Sequence, residues 1–338
     1  MRHEYIIRDT GEIARERLVG DRTVRALYSP KLENAAWLSK LASSRKVSEL
    51  LGYLNYDNRL SSRVSGMKRF LAKSGIDFSE LLDHPASLDT ARKVFERKIR
   101  YWEYRPLPKA GRCLVCPADS RVAVGSMAST SKLLIKEKFF AFPELLGGPR
   151  VRWTTKFRDG DFAIFRLTPE KYHYTHVPVA GTVTDFYAVD GRYHSCNPNA
   201  TARLITPHSK NKRVVTLIDT DGENGSGVGL VAMIEVVALM IGQIEQRYSD
   251  ERYDSPRRLE KRMSLQLGAP KALFRPGSST VVLLFQRDRI RFAEDLVRNQ
   301  QRSEVRSRYS KAFGQSLVET DVAVRSLLAL PKGGHHRD

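Results

Sequence analysis

Gly277-Ser278-Ser279-Thr280 runs directly into the apolar stretch Val281-Val282-Leu283-Leu284-Phe285. The apolar run reads as a buried strand. A turn of small residues feeding such a strand can force a serine hydroxyl against the carbonyl that precedes it. Backbone strain of that kind persists only where the surrounding fold over-determines it. By itself the tetrapeptide is ordinary turn composition, and without other support a plain hairpin or loop is the preferred reading.

The rest of the chain suggests what such a strand could pack against. From Cys113 onward, short runs rich in Val, Ile, Phe and Tyr alternate with turn residues at Asp159-Gly160, Asp190-Gly191, Asn197-Pro198-Asn199 and Asp221-Gly222, which is the texture of a β-rich domain. The most apolar window, Val228 to Ile244, is interrupted by Glu235 and Gln243 and follows a Gly-rich lead, so it reads as buried strands rather than a membrane span. Residues 1–105 look helical: Leu38, Leu41, Val47, Leu50, Leu51 and Leu54 recur at helical spacing, and Ser79 with Glu80 and Thr90 look like helix starts. A charged helix is expected around Phe292 to Arg308. The expected fold class is α+β, with a helical N-terminal region (1–105), a β-rich catalytic core (106–310), and a C-terminal helix with a flexible tail (311–338).

Composition narrows the partners. With 57 Lys+Arg against 38 Asp+Glu the net charge is +19, which favours anionic partners such as nucleic acid or acidic lipid head groups. No zinc finger, RNP-type aromatic motif or basic region with heptads is present, so nucleic acid is the weaker inference. Cys113, Cys116 and Cys196 make no disulfide framework, and a reducing compartment fits. Cys113-x-x-Cys116 is half a zinc site without a second ligand pair, so two small semi-buried residues and no metal are expected. The start Met1-Arg2-His3-Glu4-Tyr5 shows no signal-peptide pattern. The stretch Ala35 to Leu41 reads as a helix packed on the core or lying on a lipid surface.

His173 and His176 stand three apart beside Pro178. One segment can aim both imidazoles into one site, and histidine titrates in the range useful for proton transfer. A pair of surface or core histidines is the alternative.

Leu167-Thr168-Pro169-Glu170-Lys171-Tyr172-His173-Tyr174-Thr175-His176-Val177-Pro178-Val179-Ala180-Gly181 resembles the L-x-P-x-D-Y-H-R-x-H-x-P-x-x-G signature of phosphatidylserine decarboxylases. Cys116-Pro117-Ala118-Asp119-Ser120 is similar to that family's P-x-D-G element. Leu267 to Thr280 lies without a gap on its K-G-x-E-x-G-x-F-x-x-G-G-S-T processing segment. Val94 to Ile99 with Arg105-Pro106-Leu107, Asn211 to Val215 and Ile241 to Ile244 match further elements in the family order.

The resemblance implies a proenzyme that cleaves itself at an internal serine, with Asp119, His176 and Ser279 as a triad. His176 would take the serine proton, while Asp119 fixes its tautomer and stabilises the imidazolium. The attacked peptide becomes an ester, elimination leaves dehydroalanine, and hydrolysis gives a pyruvoyl cofactor that forms a Schiff base with the substrate amine. His173 is implied as the acid that protonates the carbanion. Ser279 keeps the register with Phe274 and with the strand ending at Phe285, so cleavage is expected between Ser278 and Ser279; Ser278 follows glycine as the family serine does, which leaves a cut between Gly277 and Ser278 as the alternative.

Lys171, Tyr174, Ser120, Pro270 and Ala272 depart from the family pattern around the site. The resemblance implies a phosphatidylserine substrate, a cytoplasmic enzyme peripheral to an anionic membrane surface, and a homodimer. A relative decarboxylating a soluble amino acid such as tryptophan, or a non-catalytic nucleic-acid-binding protein, are the other readings.

Overall fold

A computed structural model describes residues 3–16, 56, 75–128, 142–148, 151–194, 198, 207–238, 243–277 and 279–332. Its strands, in chain order, are β1 (Glu4–Ile7), β2 (Ile13–Arg15), β3 (Leu114–Val115), β4 (Ser120–Ser126), β5 (Asp161–Leu167), β6 (Tyr174–His176), β7 (Gly181–Val189), β8 (Arg213–Asp219), β9 (Leu230–Val237), β10 (Ile244–Gln246), β11 (Ser264–Leu265), β12 (Pro270–Phe274), β13 (Ser279–Phe285), β14 (Ile290–Phe292), β15 (Thr320–Val322) and β16 (Leu327–Pro331). Ten of them form one sheet in the order β11-β7-β8-β9-β13-β5-β4-β15-β1-β2, and two three-stranded sheets run β10-β12-β6 and β14-β16-β3.

The large sheet is covered on both faces, which explains why its central strands read as continuous apolar runs rather than alternating ones. Side chains still alternate: Val281, Leu283 and Phe285 join Ala163, Phe165 and Leu167 in a core that also takes in Val177, Val179 and Phe274 beside β6 and β12. The intervening Val282 and Leu284 join Phe162 and Ile164 against Leu145, Trp153 and Phe157 of the helices Phe142–Leu145 and Val151–Lys156 and the turn beyond, and against Tyr309 and Phe313 of the helix Arg308–Phe313. The two small sheets therefore lie on one face and these helices on the other. The α+β class follows, with a β-rich core.

Three parts of the expected organisation need correction. Residues 4–7 and 13–15, expected to be helical, are strands at the far edge of the large sheet, and β1 runs parallel to β15. β1 and β2 pair with each other, but β15, which joins β1 to the large sheet, lies about three hundred residues away, so no local pattern announces that attachment. The charged helix expected from Phe292 to Arg308 is confined to Glu294–Gln300. Beyond it, the helix Arg308–Phe313 reaches into the region expected to be a C-terminal helix, while Thr320–Val322 and Leu327–Pro331 are the strands β15 and β16, and residues 333–338 of the expected flexible tail lie outside the described residues. The expected helix of Leu38 to Leu54 and the Ala35 to Leu41 stretch lie outside the described residues. Thr90 does cap the helix Ala91–Phe95, its side chain accepting from the Lys93 N–H at 3.2 Å, whereas near Ser79 the cap is Asp77 on a single 3-10 turn.

The N-terminal strands are held by charge as well as by pairing. Arg166 on β5 donates to Glu16 at 2.9 and 2.7 Å and to Glu319 at 3.0 and 2.5 Å. His3 Nε2 lies 2.9 Å from Glu319, and Arg121 lies 2.5 Å from Glu16. His3, Glu16 and Glu319 are a donor set a cation could use. Two guanidiniums already balance these carboxylates, so arginine is the counterion here. Burial pushes both carboxyls up, but Arg166 outweighs it and holds each below the usual range.

A carboxyl with a lowered folded-state pKa adds stability that is whole above its ordinary pKa of about 4.5 and is lost as pH falls through the lowered value. Arg166→Met should therefore cost about 3–5 kcal/mol, because it strands buried carboxylates. Urea unfolding at pH 7 checks this, and the loss relative to the parent should shrink as the pH is lowered below about 4.5. An unchanged urea midpoint would contradict the role given to Arg166.

Candidate active site

Ser279 opens the strand with two neighbours. It pairs with Leu167 on β5 and with Val237 on β9, both antiparallel. By the period of two it shares the face of Val281 and Leu283, the one covered by the sheet that carries β6 and β12. Ser279 is buried. Gly277, two residues before it, has φ 151, a conformation open to glycine and costly for other residues. Ser278 lies outside the described residues.

His176 ends β6, opposite Pro270 on β12. Its Nδ1 lies 2.9 Å from the Gly268 carbonyl and its Nε2 lies 3.0 Å from the Tyr172 hydroxyl. A carbonyl only accepts, so Nδ1 carries the proton. Gly268 has φ 72, and a Cβ there would meet Leu107 at 2.8 Å and Arg325 at 3.0 Å. The position that aims this carbonyl at the ring therefore suits only glycine. Burial pushes the His176 pKa down to about 3, the Gly268 carbonyl opposing.

His173 precedes β6, and its carbonyl accepts from the Phe274 N–H at 3.1 Å, on the segment leading to Ser279. The imidazole stacks on Phe95, centroids 3.5 Å apart and planes 16° from parallel. It is fully buried, and neither ring nitrogen makes a well-formed hydrogen bond. Burial, then the nearby Arg97, pushes its pKa down to about 3; the Thr168 and Pro169 carbonyls are close enough to oppose this weakly. Arg97 is itself anchored on the carbonyls of Val94 and Glu170 at 3.0 and 2.8 Å. A buried polar ring without partners is uncommon and calls for an explanation. The ring is held by its stack on Phe95, while the His173 backbone pairs with the segment that leads to Ser279.

Asp119 sits at the head of β4. Its carboxylate accepts from the Val324 N–H at 2.7 Å and from Arg105 at 3.2 Å twice. Arg105 also grips Glu80 at 2.8 and 3.0 Å. Burial pushes the Asp119 pKa up, but Arg105 prevails and holds it below the usual range. The negative charge acts on both histidines, raising their pKa values against burial. The backbones are tied as well, since the His176 N–H donates to the Pro117 carbonyl at 2.7 Å.

Asp119, His173 and His176 thus share one buried region, in which the field of Asp119 reaches both rings. The expected hydrogen bond from Asp119 to His176 is not among their contacts: Gly268 fixes the tautomer instead, and Asp119 acts through space.

The substituted positions have structural roles. Lys171 pairs with Asp321 at 2.6 Å, and the Ser120 hydroxyl donates to the Ala118 carbonyl at 3.0 Å. Lys271, between Pro270 and Ala272, is buried against Glu235 at 2.6 Å; Glu235, which faces Val281, also accepts from Thr175 at 2.6 Å. Sequence reasoning flagged Glu235 only as a break in an apolar run, and assigned nothing to Arg105, Arg97, Phe95 or Gly268. The Arg105 and Phe95 matches were visible signals whose meaning needed the fold. Cys113 and Cys116 are buried and free.

The model of the phosphatidylserine decarboxylase family matches residues 91–315. The phosphatidylserine decarboxylase proenzyme of Chlamydia trachomatis serovar L2 is 32% identical over 313 residues, covering 92% of this chain and 96% of that protein. The proenzyme of Bordetella petrii is 33% identical over 262 residues, covering 73% and 87%, and that of Fusobacterium nucleatum is 26% identical over 315 residues, covering 92% and 97%. The family match and relatives aligned over most of their length agree: the chain belongs to the phosphatidylserine decarboxylase family.

Proposed function

We propose that the chain is a phosphatidylserine decarboxylase proenzyme that cuts itself between Ser278 and Ser279 and converts Ser279 to a pyruvoyl group, yielding an enzyme that makes phosphatidylethanolamine. The observation that carries this reading is the position of Ser279. It is the first residue of a doubly paired central strand, it stands two residues after Gly277, and its face of the sheet is the one covered by the small sheet whose strand β6 ends at His176.

In the first chemistry, Ser279 Oγ attacks the Ser278 carbonyl carbon and gives up its proton, which is taken up at His176 Nε2, the nitrogen that the Tyr172 hydroxyl faces. The peptide C–N bond breaks as the ester forms, and the proton held by His176 passes to the Ser279 nitrogen that leaves as an amine. A base then removes the Ser279 Cα proton, the 1–278 carboxylate leaves to give dehydroalanine, and water adds to its imine tautomer and expels ammonia. Burial and the Gly268 carbonyl keep His176 neutral with Nε2 as its bare nitrogen, as a base requires. Asp119 favours the charge that develops on the ring.

In the second chemistry the pyruvoyl group supplies the carbonyl that draws electrons as carbon dioxide leaves. The chain's own contribution is His173. Its unpartnered buried ring suits a site where a proton must be given to carbon without water competing, and Phe95 holds its plane.

The same reading places the enzyme in the cytoplasm as a homodimer of processed chains, acting at an anionic membrane surface to which its +19 charge draws it. No described helix is long and apolar enough to cross a membrane.

Carbon dioxide release from vesicles containing phosphatidylserine tests the substrate. Turnover on these vesicles, weakening as salt rises, is expected, with none on free serine or tryptophan. Turnover on a free amino acid alone would overturn the phospholipid reading.

Two sets of variants separate the chemistries. His176→Ala and Asp119→Asn should slow cleavage by up to roughly 10⁴-fold, the scale of losing a triad member. His173→Ala should cleave normally yet lose about 10²–10⁴-fold in decarboxylation. A cleaved His173→Ala protein with full turnover would contradict its assignment.

A further inference from the structure

His176 does not end its hydrogen bonding at Tyr172. The Tyr172 hydroxyl lies 2.6 Å from the Tyr253 hydroxyl. Tyr253 in turn lies 2.9 Å from the Ile99 carbonyl, and accepts from the Ile99 N–H at 3.2 Å. Tyr253 belongs to none of the stretches that resemble family motifs; it comes from the segment between β10 and β11. All three side chains are at least nine-tenths buried.

Counting protons along this row gives a definite result. There are three links: His176 Nε2 to Tyr172, Tyr172 to Tyr253, and Tyr253 to the Ile99 carbonyl. Each link needs one proton. The last group only accepts, and the His176 Nδ1 proton is committed to Gly268. With a neutral ring the two phenols supply two protons for three links, so one link is always bare. With an imidazolium, Nε2–H donates to Tyr172, Tyr172 donates to Tyr253, and Tyr253 donates to Ile99, so every link is filled. The row is complete only when His176 has taken up a proton.

We propose that Tyr172 and Tyr253 are positioning residues that stabilise the protonated His176 formed during self-cleavage, by a directed row of phenol hydrogen bonds ending on the Ile99 carbonyl. The inference rests on His176 being the base. It supplies locally what the absent hydrogen bond to Asp119 does not. Other groups facing the ring divide in sign: Asp119 favours the charged form, Arg325 opposes it, and Tyr101 meets the ring edge-on at 4.7 Å. Tyr172 and Tyr253 hold their own protons firmly, since burial raises both phenol pKa values. They therefore donate without ionising.

The test follows cleavage of the full chain after refolding from denaturant, for Tyr172→Phe, Tyr253→Phe and the double variant. Among the described residues Tyr172 bonds only to its two neighbours in the row, so Tyr172→Phe removes no backbone partner there; Tyr253→Phe also strips Ile99 of one. Each single variant should cleave about tenfold more slowly or worse, the kinetic equivalent of one charge-assisted hydrogen bond. The double variant should be no slower than Tyr172→Phe, because the row fails once at either place. Rates in mixtures of light and heavy water should curve for the parent, where several protons shift together, and become linear for Tyr172→Phe; a merely structural role would not change that shape. Cleavage by Tyr172→Phe within twofold of the parent, multiplying effects in the double variant, or an unchanged isotope curve would each overturn the proposal. His176→Ala, run alongside, separates the two failures. Normal cleavage by His176→Ala removes the base assignment itself, whereas blocked His176→Ala with normal Tyr172→Phe removes only the relay.

Discussion

Everything at this site depends on β13 being paired along both edges. Ser279 through Phe285 are matched residue for residue with β5 on one side and β9 on the other. A strand held that way cannot slip by one position without moving its whole set of core residues to the wrong face. The face on which Ser279 lies is therefore set by the packing of Val281, Leu283 and Phe285 rather than by anything local to the serine. The turn before it bends at Gly277, in a conformation that glycine adopts without steric cost, and leads into a strand that does not yield.

Around that fixed strand, charges are handled in two ways. The Arg166 cluster is fully paired and joins residues near the start of the chain to residues near its end. Glu319 belongs to the sixty residues (338 − 278) that would follow the proposed cut, so this cluster would bind the two fragments together after it, as would the strands β13 and β15 in the shared sheet. The histidines are treated oppositely. They are buried without a direct countercharge, kept neutral, and given carbonyl, phenol and ring neighbours that orient them. Asp119 is spent on Arg105 and the Val324 N–H and reaches the histidines only through its field.

Much of this was legible in the sequence where function and local pattern coincide. The run Val281 to Phe285 announced a buried strand, and Val228 onward announced β9 after its turn. The order of the short matches announced the family. What stayed hidden depends on partners far away in the chain. Strands β1 and β15 are each short and partly charged, and neither looks like a strand without the other. The fork of Arg105 between Glu80 and Asp119 joins segments with no shared pattern. The tautomer of His176 is fixed by a backbone carbonyl ninety-two residues on, and backbone carbonyls leave no trace in residue identity beyond the glycine that aims them. Tyr253 sits in a stretch without any motif, so only its hydroxyl's position reveals it.

The central claim is that the backbone opens between Ser278 and Ser279. Intact-mass spectrometry of the purified protein tests it most directly. The account predicts a fragment of residues 1–278 and a chain of sixty residues (338 − 278) whose mass fits a pyruvoyl N-terminus in place of serine. A single uncut chain of 338 residues would contradict it, and so would a short fragment beginning at Ser278.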